Sequence, residues 1–413
     1  MSRRGLLAGA LGFPLWARPG KIKITGLELV RLDGHWQAPP NDHQYQVNPS
    51  HVYEELRPKA PVTTPAREEA TGAIYLKLQT DAGLEAIYGP IDKEAAIVVD
   101  QQLRSFVIGK DPLAGEALWD QMQRSNRHSR ASHYMMAISA IDNAIWDLRG
   151  RYFETPVYRL LGGPTRPAVE CYASMLGHSI EPDKARAKAI EFKERGFRNQ
   201  KWFIPYGPGS GPEGFLKNIE LVKTVREAVG PATELMFDAY GGWTLDYAIA
   251  WAKQVEQYRP RWIEEAFQPN KIEAFAELRR ASSVPVASGE HFYSRWDVYE
   301  YLKAGAITVV QADPEWCGGV TELVKICAIA TLYDAVVIPH GHSIHAALHI
   351  VASQSPATCP LVEFLWIKMR SHYHFEKNAP KTVNGRLPLP TGPGFGIELD
   401  ASKIEKQTVL KWS

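Results

Sequence analysis

The sequence predicts an α/β protein in which a barrel of the (β/α)8 type follows a separate α+β domain. Two patterns lead to this prediction. From about residue 168, eight short apolar runs alternate with stretches of helical period, as in a parallel sheet covered by helices. Before residue 160 the chain instead shows an alternating strand hairpin followed by helices. At 413 residues the chain exceeds one ordinary domain and accommodates both units.

The N-terminal segment, residues 1–20, is a candidate export leader. Arg3 and Arg4 precede an apolar stretch that is too short to span a bilayer as a structural helix. This order resembles a twin-arginine signal, which exports proteins that are already folded. Export to the periplasm is therefore one prediction, and a weakly apolar tail on a cytoplasmic protein is the alternative.

Residues 21–160 are predicted to form the α+β domain. The segments KITGLELVRL and GAIYLKLQTDAG alternate apolar and polar residues, as strands do. A Pro-, His- and Asn-rich stretch over 35–65 separates them and is a candidate lid. The segment MMAISAIDNAIWDLRGRYF has helical spacing and ends before Thr155 and Pro156. The Pro- and Gly-rich residues 380–413 are expected to complete this domain.

Residues 161–380 carry the predicted barrel. Its strand candidates are VECYAS, QKWFI, ELMFDAY, RWIEEA, VPVASGEH, TVVQADPE, AVVIPHG and LVEFLW. An open doubly wound sheet is the alternative, but no GxGxxG follows a first strand. Ionisable residues instead recur at the ends of seven candidate strands: Lys201, Asp238, Glu264, Glu290, Asp313, His340 and Glu363. Because barrel enzymes build their sites at the C-terminal strand ends, this set predicts an active site.

The composition excludes several kinds of partner. There are 47 basic and 46 acidic residues, a net charge of +1, and no basic run that could track phosphates, so no nucleic-acid partner is expected. After the leader, no segment has the apolar length needed to cross a membrane. The cysteines are scattered without CxxC spacing and are expected to be buried thiols: Cys171, Cys317, Cys327 and Cys359.

Three of the strand-end carboxylates predict a metal site. Asp238, Glu264 and Glu290 end the third, fourth and fifth candidate strands, which are neighbours in a barrel. Strands lie about 4.8 Å apart, so the three side chains can converge on one point. Like charges that close repel one another unless a cation lies among them. An all-oxygen ligand set suits one Mg²⁺ better than zinc.

The histidine-rich segment VVIPHGHSIHAALH predicts a base rather than a metal ligand. A zinc hydrolase barrel carries its His-x-His pair on the first strand, whereas His340 and His342 follow the seventh. Asp313 ends the sixth strand, next to His340, and a carboxylate bonded to an imidazole raises its basicity. We expect structural roles for His342, His345 and His349.

These residues resemble the enolase superfamily, specifically its mandelate racemase branch. The resemblance rests on AIDNAIWDLRGRYFETPVYRLLGG, FDAYGGW, WIEEA, SGEH, ADPEWCGG, VIPHG and VEFL, in this order and spacing. It covers nearly the whole chain after the leader. It implies a (β/α)7β TIM-like barrel closed by an α+β capping domain.

The resemblance also implies a reaction, removal of the proton α to a carboxylate to give an enediolate stabilised by Mg²⁺. His340 then takes the base role, and Glu363, in a protonated form, takes a second donor role at the substrate carboxylate. The branch often carries Lys-x-Lys at strand two, but here Lys201 is followed by Phe203 at the second position. This departure disfavours racemisation, which needs proton exchange on both faces.

The resemblance is greatest to the rhamnonate dehydratase group, which converts acid sugars into 2-keto-3-deoxy acids. It implies an acid-sugar substrate and a homo-oligomeric assembly. The loop from His35 to Arg67 departs from that group, and since such loops select the substrate, His43 and Arg67 are candidate substrate contacts, as is His291. An epimerase, racemase or cycloisomerase on the same scaffold remains an alternative. A sugar-acid binding protein whose chemistry has lapsed is another, which the complete set of candidate ligands and base opposes.

Overall fold

A computed structural model describes residues 22–58 and 60–412. The candidate export leader lies outside these residues. Before the barrel the strands are β1 (Ile24–Ala38), β2 (Asn41–His43), β3 (Val62–Thr64), β4 (Arg67–Thr80) and β5 (Glu85–Tyr88). The parallel strands are β6 (Ala168–Ser174), β7 (Asn199–Phe203), β8 (Glu234–Asp238), β9 (Trp262–Glu264), β10 (Val286–Ser288), β11 (Val309–Val310), β12 (Val336–Val337) and β13 (Val362–Leu365). The last two strands are β14 (Arg386–Pro388) and β15 (Lys406–Leu410).

Helices occupy most of the chain between these strands. Before β6 they are α1 (Lys93–Val98), α2 (Arg104–Val107), α3 (Gly115–Ser125), α4 (Ser132–Tyr152) and α5 (Val157–Leu160). The barrel helices are α6 (Pro182–Glu194), α7 (Gly211–Val229), α8 (Leu245–Val255), α9 (Ile272–Ala281), α10 (Arg295–Lys303), α11 (Gly319–Thr331) and α12 (His345–Ser353), and α13 (Met369–His372) follows β13. Short 3-10 helices span Pro49–Val52, Glu54–Leu56, Pro208–Ser210, Glu256–Tyr258 and Ala401–Lys403, and a π-helical turn spans Val99–Leu103.

The parallel sheet has the strand order of a barrel. Strands β6 to β12 pair in chain order, and β13 returns to pair with β6 in parallel, with Glu363 opposite Tyr172. Between β12 and β13 the Val337 N–H donates to the Thr358 carbonyl at 2.8 Å. A doubly wound sheet would instead reverse its order at the first strand. One helix follows each of the strands β6 to β12, so the predicted (β/α)7β fold is confirmed.

The antiparallel sheet forms the core of a second unit, as predicted for the capping domain. Its order is β15-β1-β4-β5, with Leu29 of β1 opposite Leu76 of β4 and Leu410 of β15. The C-terminal strand therefore joins the sheet formed by the N-terminal strands. Helix α4 packs on this sheet through a nearly fully buried apolar surface, as the helical spacing of its sequence predicts.

The barrel interior is a packed core below the strand ends. It contains inward-pointing side chains from most of the strands: Tyr172, Met236, Trp262, Ala287, Val309, Ile338 and Leu361. A larger apolar cluster fills the space between the helices and the two sheets. Because this filling closes the lower part of the barrel, polar side chains of the strands gather at the C-terminal end.

Helix α4 holds the loop that follows β11. The Asn143 side chain donates to the Pro314 carbonyl at 3.1 Å, and the Trp146 indole donates to Thr321 Oγ1 at 2.8 Å. The Thr321 N–H in turn donates to Asp142 Oδ2 at 2.9 Å. These buried bonds attach the segment that carries Asp313 to the capping unit, so the capping unit supports the barrel end.

The described residues of the candidate lid are structured, and part of this stretch lies on the barrel. Within residues 35–65, β1 continues to Ala38 and the short hairpin of β2 and β3 follows. The Gln44 N–H donates to the Gly177 carbonyl at 3.0 Å, and the Val47 N–H donates to the Ile204 carbonyl at 2.8 Å. This stretch therefore lies across the loops that leave β6 and β7.

No helix in the described part of the chain has the length and apolarity to span a bilayer.

Candidate active site

The C-terminal strand ends bring the predicted ionisable residues into one buried cluster. Asp238 and Glu264 are the last residues of β8 and β9, and Glu290 lies two residues beyond β10. One carboxylate oxygen from each of these three lies within 4.8 Å of the other two. Each side chain is almost fully buried. The backbone N–H of Tyr240 donates to Asp238 at 2.9 Å and the Trp262 indole donates to Glu264 at 2.9 Å, which orients these two.

The electrostatics of the three carboxylates fit a hard divalent cation. Burial and mutual repulsion raise the pKa of Asp238 to about 6, of Glu264 to about 8 and of Glu290 to about 7. Three oxygens that approach one another this closely are stabilised by a charge placed between them. The donor set contains oxygen alone, which Mg²⁺ prefers. The residues present therefore fit the expected metal.

Lys201 lies beside this cluster on β7. Its Nζ contacts Glu264, lies 3.3 Å from Asp238 Oδ2 and lies 3.0 Å from Glu363 Oε1. Although burial alone lowers the pKa of the ammonium, these carboxylates raise it well above its usual value. Phe203 follows two residues later, and the centre of its ring lies 5.2 Å from Lys201 Nζ. Lys201 is therefore a permanently charged donor at the site.

His340 and Asp313 form a hydrogen-bonded pair. His340 Nδ1 lies 2.7 Å from Asp313 Oδ2, and His340 Nε2 lies 3.6 Å from Glu290 Oε2. The second ring nitrogen therefore faces the carboxylate cluster. Burial lowers the pKa of the imidazole, but the charges of Glu290, Asp313 and Glu363 outweigh burial and raise it to about 10. This arrangement gives an imidazole of fixed orientation and raised basicity.

Glu363 faces the ammonium of Lys201. Its Oε2 accepts a hydrogen bond from the Gly341 N–H at 2.9 Å, and its Oε1 lies 3.0 Å from Lys201 Nζ. Burial raises the pKa of this carboxyl, but Lys201 and His340 outweigh burial and lower it. These neighbours favour the ionised form, and the donor role of a protonated Glu363 stays a prediction of the resemblance. In this geometry Glu363 orients Lys201.

His291 also reaches the cluster. Its Nδ1 lies 3.0 Å from Glu265 Oε1 and 3.7 Å from Glu290 Oε1. Its ring stacks on Trp316, with centroids 5.9 Å apart, and the same indole packs against His340 at 4.9 Å. Burial lowers the pKa of His291, but Glu265 and Glu290 raise it to about 9. Trp316 thus separates two imidazoles beside the carboxylates.

The other two predicted substrate contacts do not join the cluster. His43 is exposed on β2, where its Nε2 lies 3.0 Å from Thr64 Oγ1. Arg67 is exposed at the start of β4 and pairs with Glu69 at 2.6 Å. Both side chains have their partners close by, on β3 and β4. Their predicted contact with substrate is unsupported by this arrangement.

Three residues near the cluster were not among the predicted site residues. Glu265 directly follows Glu264 in WIEEA, and Trp316 lies three residues after Asp313 in ADPEWCGG. Lys368 follows β13 by three residues and its Nζ lies 2.8 Å from His342 Nδ1. A search for ionisable residues beyond the strand ends, into the following loops, would have found Glu265 and Lys368. An aromatic residue such as Trp316 carries no such signal.

The four cysteines are buried and free, as expected. Cys327 and Cys359 lie 3.6 Å apart at their sulfur atoms. The three histidines expected to be structural all have partners within the fold, and His342 lies between Lys368 and Asp92. His345 Nε2 lies 2.8 Å from Glu376 Oε2, and His349 Nδ1 accepts from the Tyr158 N–H at 3.1 Å.

Comparison with known proteins assigns this fold and site to a family. The sequence profile of the enolase C-terminal domain-like family matches residues 184–403. The profile of the mandelate racemase/muconate lactonizing enzyme N-terminal domain matches residues 50–162. The chain is 37% identical to L-rhamnonate dehydratase of Saccharopolyspora erythraea over 80% of its own length and 83% of that protein. It is 32% identical to D-galactarolactone cycloisomerase of Agrobacterium fabrum over 76% and 85% of the two chains.

The solved structures agree with the sequence comparison. Rhamnonate dehydratase of Gibberella zeae, complexed with Mg, superposes with a TM-score of 0.77 at 27% identity, covering 92% of this chain and 95% of that one. The chain therefore belongs to the enolase superfamily, in its mandelate racemase/muconate lactonizing enzyme branch. Within that branch it is rhamnonate dehydratase-like, as the sequence motifs predict.

Proposed function

We propose that the protein is a Mg²⁺-dependent dehydratase of an acid sugar, an aldonate or aldarate, that forms a 2-keto-3-deoxy acid. The observation that carries this proposal is the pairing of a three-carboxylate cluster with one His340–Asp313 dyad facing it. The similarity to L-rhamnonate dehydratase supports the same reaction class. Lys201 supplies a charged hydrogen-bond donor, and the dyad supplies the acid–base chemistry.

The proposed roles follow from charge and position. Asp238, Glu264 and Glu290 would hold the cation, which when bound acts as a Lewis acid on the substrate carboxylate. Lys201 donates to the same carboxylate, where negative charge develops as the α-proton leaves. An α-proton of a carboxylate is weakly acidic, so donors of this kind are needed.

The proposed proton transfers use a single base. His340 Nε2 faces the cluster, while Asp313 holds the proton on Nδ1 and stabilises the imidazolium that forms. His340 acts in its neutral form, which a cation held beside Glu290 would favour by offsetting the charge of that carboxylate. It removes the α-proton and then returns it to the departing β-hydroxyl, which leaves as water. Phe203, whose ring centre lies 5.2 Å from the Lys201 ammonium, has no ionisable group and therefore provides no second base there.

His340→Asn tests this proposal directly. The wild-type protein with Mg²⁺ is expected to release a 2-keto-3-deoxy acid from at least one member of a panel of aldonic and aldaric acids. The variant is expected to lose at least 100-fold in rate while keeping its Mg²⁺ affinity, because it lacks only the base. The product is measured as the semicarbazone, and α-proton exchange is followed by NMR in deuterium oxide. Full activity in the variant would refute the assigned role.

A cycloisomerase is the second candidate, which the Agrobacterium relative favours. It would also use His340 to exchange an α-proton, but it would release no 2-keto-3-deoxy acid. The same experiment therefore separates the two, since α-proton exchange with an acid-sugar lactone and without water loss supports the cycloisomerase.

A further inference from the structure

Both carboxylate oxygens of Asp313 are held by hydrogen bonds. Oδ2 lies 2.7 Å from His340 Nδ1, and Oδ1 accepts from the backbone N–H of Glu315 at 2.7 Å. The Asp313 carbonyl accepts from the N–H groups of Trp316 and Cys317 at 3.0 Å and 2.8 Å. These bonds close a tight turn after β11, of the kind that an aspartate side chain stabilises. The orientation of the Asp313 carboxylate therefore depends on where the Glu315 backbone lies.

The side chain of Glu315 is bonded to the capping unit. The hydroxyl of Tyr88, the last residue of β5, donates to Glu315 Oε1. Tyr88 is fully buried, and its ring packs on Phe395 with centroids 5.1 Å apart. Its backbone pairs with Leu76 in the antiparallel sheet. Tyr88 is thus held by the sheet and by packing, and it gives Glu315 a fixed partner outside the barrel.

The surroundings of Glu315 favour an uncharged carboxyl. Burial and the charge of Asp313 raise the pKa of Glu315 well above its usual value. Asp92 adds to this effect, while the Tyr88 hydroxyl and Lys368 oppose it. A neutral carboxyl still accepts a hydrogen bond through its carbonyl oxygen. The bond to Tyr88 can therefore orient Glu315 without adding a second negative charge to the turn that carries Asp313.

We propose that Tyr88 and Glu315 are positioning residues of the proposed base, which fix the Asp313 carboxylate and, through it, the His340 ring. This inference rests on the proposed function for the role of His340 alone. Both residues act through Asp313, because the bonded chain runs from β5 through Glu315 to the carboxylate that holds the imidazole. The capping unit thereby contributes to the geometry of a base that belongs to the barrel.

Removing one hydroxyl tests the inference. Tyr88→Phe keeps the ring and its packing but leaves the buried Glu315 without this donor. The rate of His340-dependent α-proton exchange, followed by NMR in deuterium oxide with Mg²⁺ and the best acid sugar of the panel, is expected to fall about tenfold. The KM and the Mg²⁺ affinity are expected to change by about twofold at most, because other residues hold the cation and the substrate carboxylate.

Substitutions of Glu315 separate orientation from charge. Glu315→Gln retains a carbonyl that accepts from Tyr88 and is expected to keep the wild-type exchange rate within about threefold. Glu315→Met has no acceptor and is expected to lose about tenfold, as Tyr88→Phe does. The double variant is expected to lose no more than either single variant, because the two side chains act as one unit. Additive losses would contradict the proposed path through Glu315.

Tyr75→Phe is the matched control. Tyr75 on β4 is also fully buried, and its hydroxyl donates to the buried Glu376 at 3.0 Å. The substitution therefore removes a bond of the same kind from the same sheet, but not one to the Asp313 turn. The control is expected to keep the wild-type exchange rate. An equal fall in Tyr75→Phe and Tyr88→Phe would show general damage to the capping unit and would overturn the inference.

A spectroscopic measurement tests the inference without turnover. In protein with isotope-labelled histidine and Mg²⁺, the His340 Nδ1 proton is assigned by its absence from His340→Asn. Because its position reports the bond to Asp313, this signal is expected to shift in Tyr88→Phe and in Glu315→Met. It is expected to stay unchanged in Tyr75→Phe and in Glu315→Gln.

The two measurements distinguish this inference from the proposed function. An unchanged His340 signal in Tyr88→Phe, with 2-keto-3-deoxy acid formed at the wild-type rate, would refute the positioning role and keep the dehydratase. A shifted signal in Tyr88→Phe, together with no 2-keto-3-deoxy acid from the wild-type protein, would refute the dehydratase and keep the positioning of His340.

Discussion

At the scale of single residues, the site concentrates charge that the fold must balance. Asp238, Glu264, Glu290 and Glu363 are all buried around one ammonium, that of Lys201. Buried like charges are costly, and a stability-driven sequence has no reason to collect them. The raised pKa values of the three clustered carboxylates express this cost and explain why a divalent cation fits among them.

The dyad gives a prediction for Asp313. Asp313→Asn keeps the size of the side chain but removes the charge that holds the His340 tautomer and stabilises its protonated form. The turnover rate is expected to fall 100- to 10,000-fold, while the Mg²⁺ affinity changes little because Asp313 is not a proposed ligand. Steady-state kinetics and Mg²⁺ titration by calorimetry measure the two effects. Wild-type turnover in the variant would contradict the dyad.

At the scale of elements, α12 is attached to α5 through an uncharged histidine. His349 is fully buried, and its Nδ1 accepts from the Tyr158 N–H where α5 begins. Burial and the nearby His345 lower its pKa to about 3. Protonation would destroy the acceptor that Tyr158 needs, so the contact between the two helices requires the neutral ring.

This contact predicts a pH-dependent stability. The folded-state pKa of about 3 lies below the unfolded value of about 6.5, so unfolding takes up a proton between these values. The contribution of neutral His349 is complete above pH 6.5 and is lost as the pH falls, at about 1.4 kcal/mol per pH unit. His349→Gln does not titrate. The wild type is therefore expected to lose its advantage over this variant in free energy of unfolding as the pH falls from 6 to 4, by about 1.4 kcal/mol per pH unit.

Urea unfolding at several pH values measures this slope. His35→Gln is the matched control, because His35 is exposed on β1 and pairs with Glu405 at the surface. A constant difference between wild type and His349→Gln across the range would show that His349 is not held neutral in the fold.

At the scale of the whole molecule, the proposed metal ligands come from three successive strands, and the proposed base comes from a fourth strand end. The cation is therefore expected to couple these strands and to stabilise the folded chain. At about 100 times the Kd, Mg²⁺ is expected to raise the free energy of unfolding by about 2.7 kcal/mol over protein in EDTA. Glu264→Gln is expected to lose most of this increase because it removes one ligand charge.

Chemical unfolding with and without Mg²⁺ measures the effect. Glu116→Gln provides the control. Glu116 is exposed on α3 and pairs with Lys325 of α11, and neither residue is a proposed metal ligand. An equal Mg²⁺ effect in Glu264→Gln and wild type would mean that the cation binds elsewhere.

The sequence by itself determined the alternation of strands and helices and the residues at the strand ends. Short apolar runs that alternate with amphipathic helices predict the barrel from local sequence. The barrel topology then places Asp238, Glu264 and Glu290 together. The family follows from the same motifs. These features are encoded by short-range spacing, which can be read along one chain.

Only the tertiary structure decided which groups face Glu363 and which partners His43, Arg67 and Lys368 bond. Each depends on groups that are distant in sequence: Glu363 faces Lys201, and Lys368 contacts His342 across a loop. Charge balance and side-chain direction are set by three-dimensional neighbours, and no spacing along the chain specifies those neighbours.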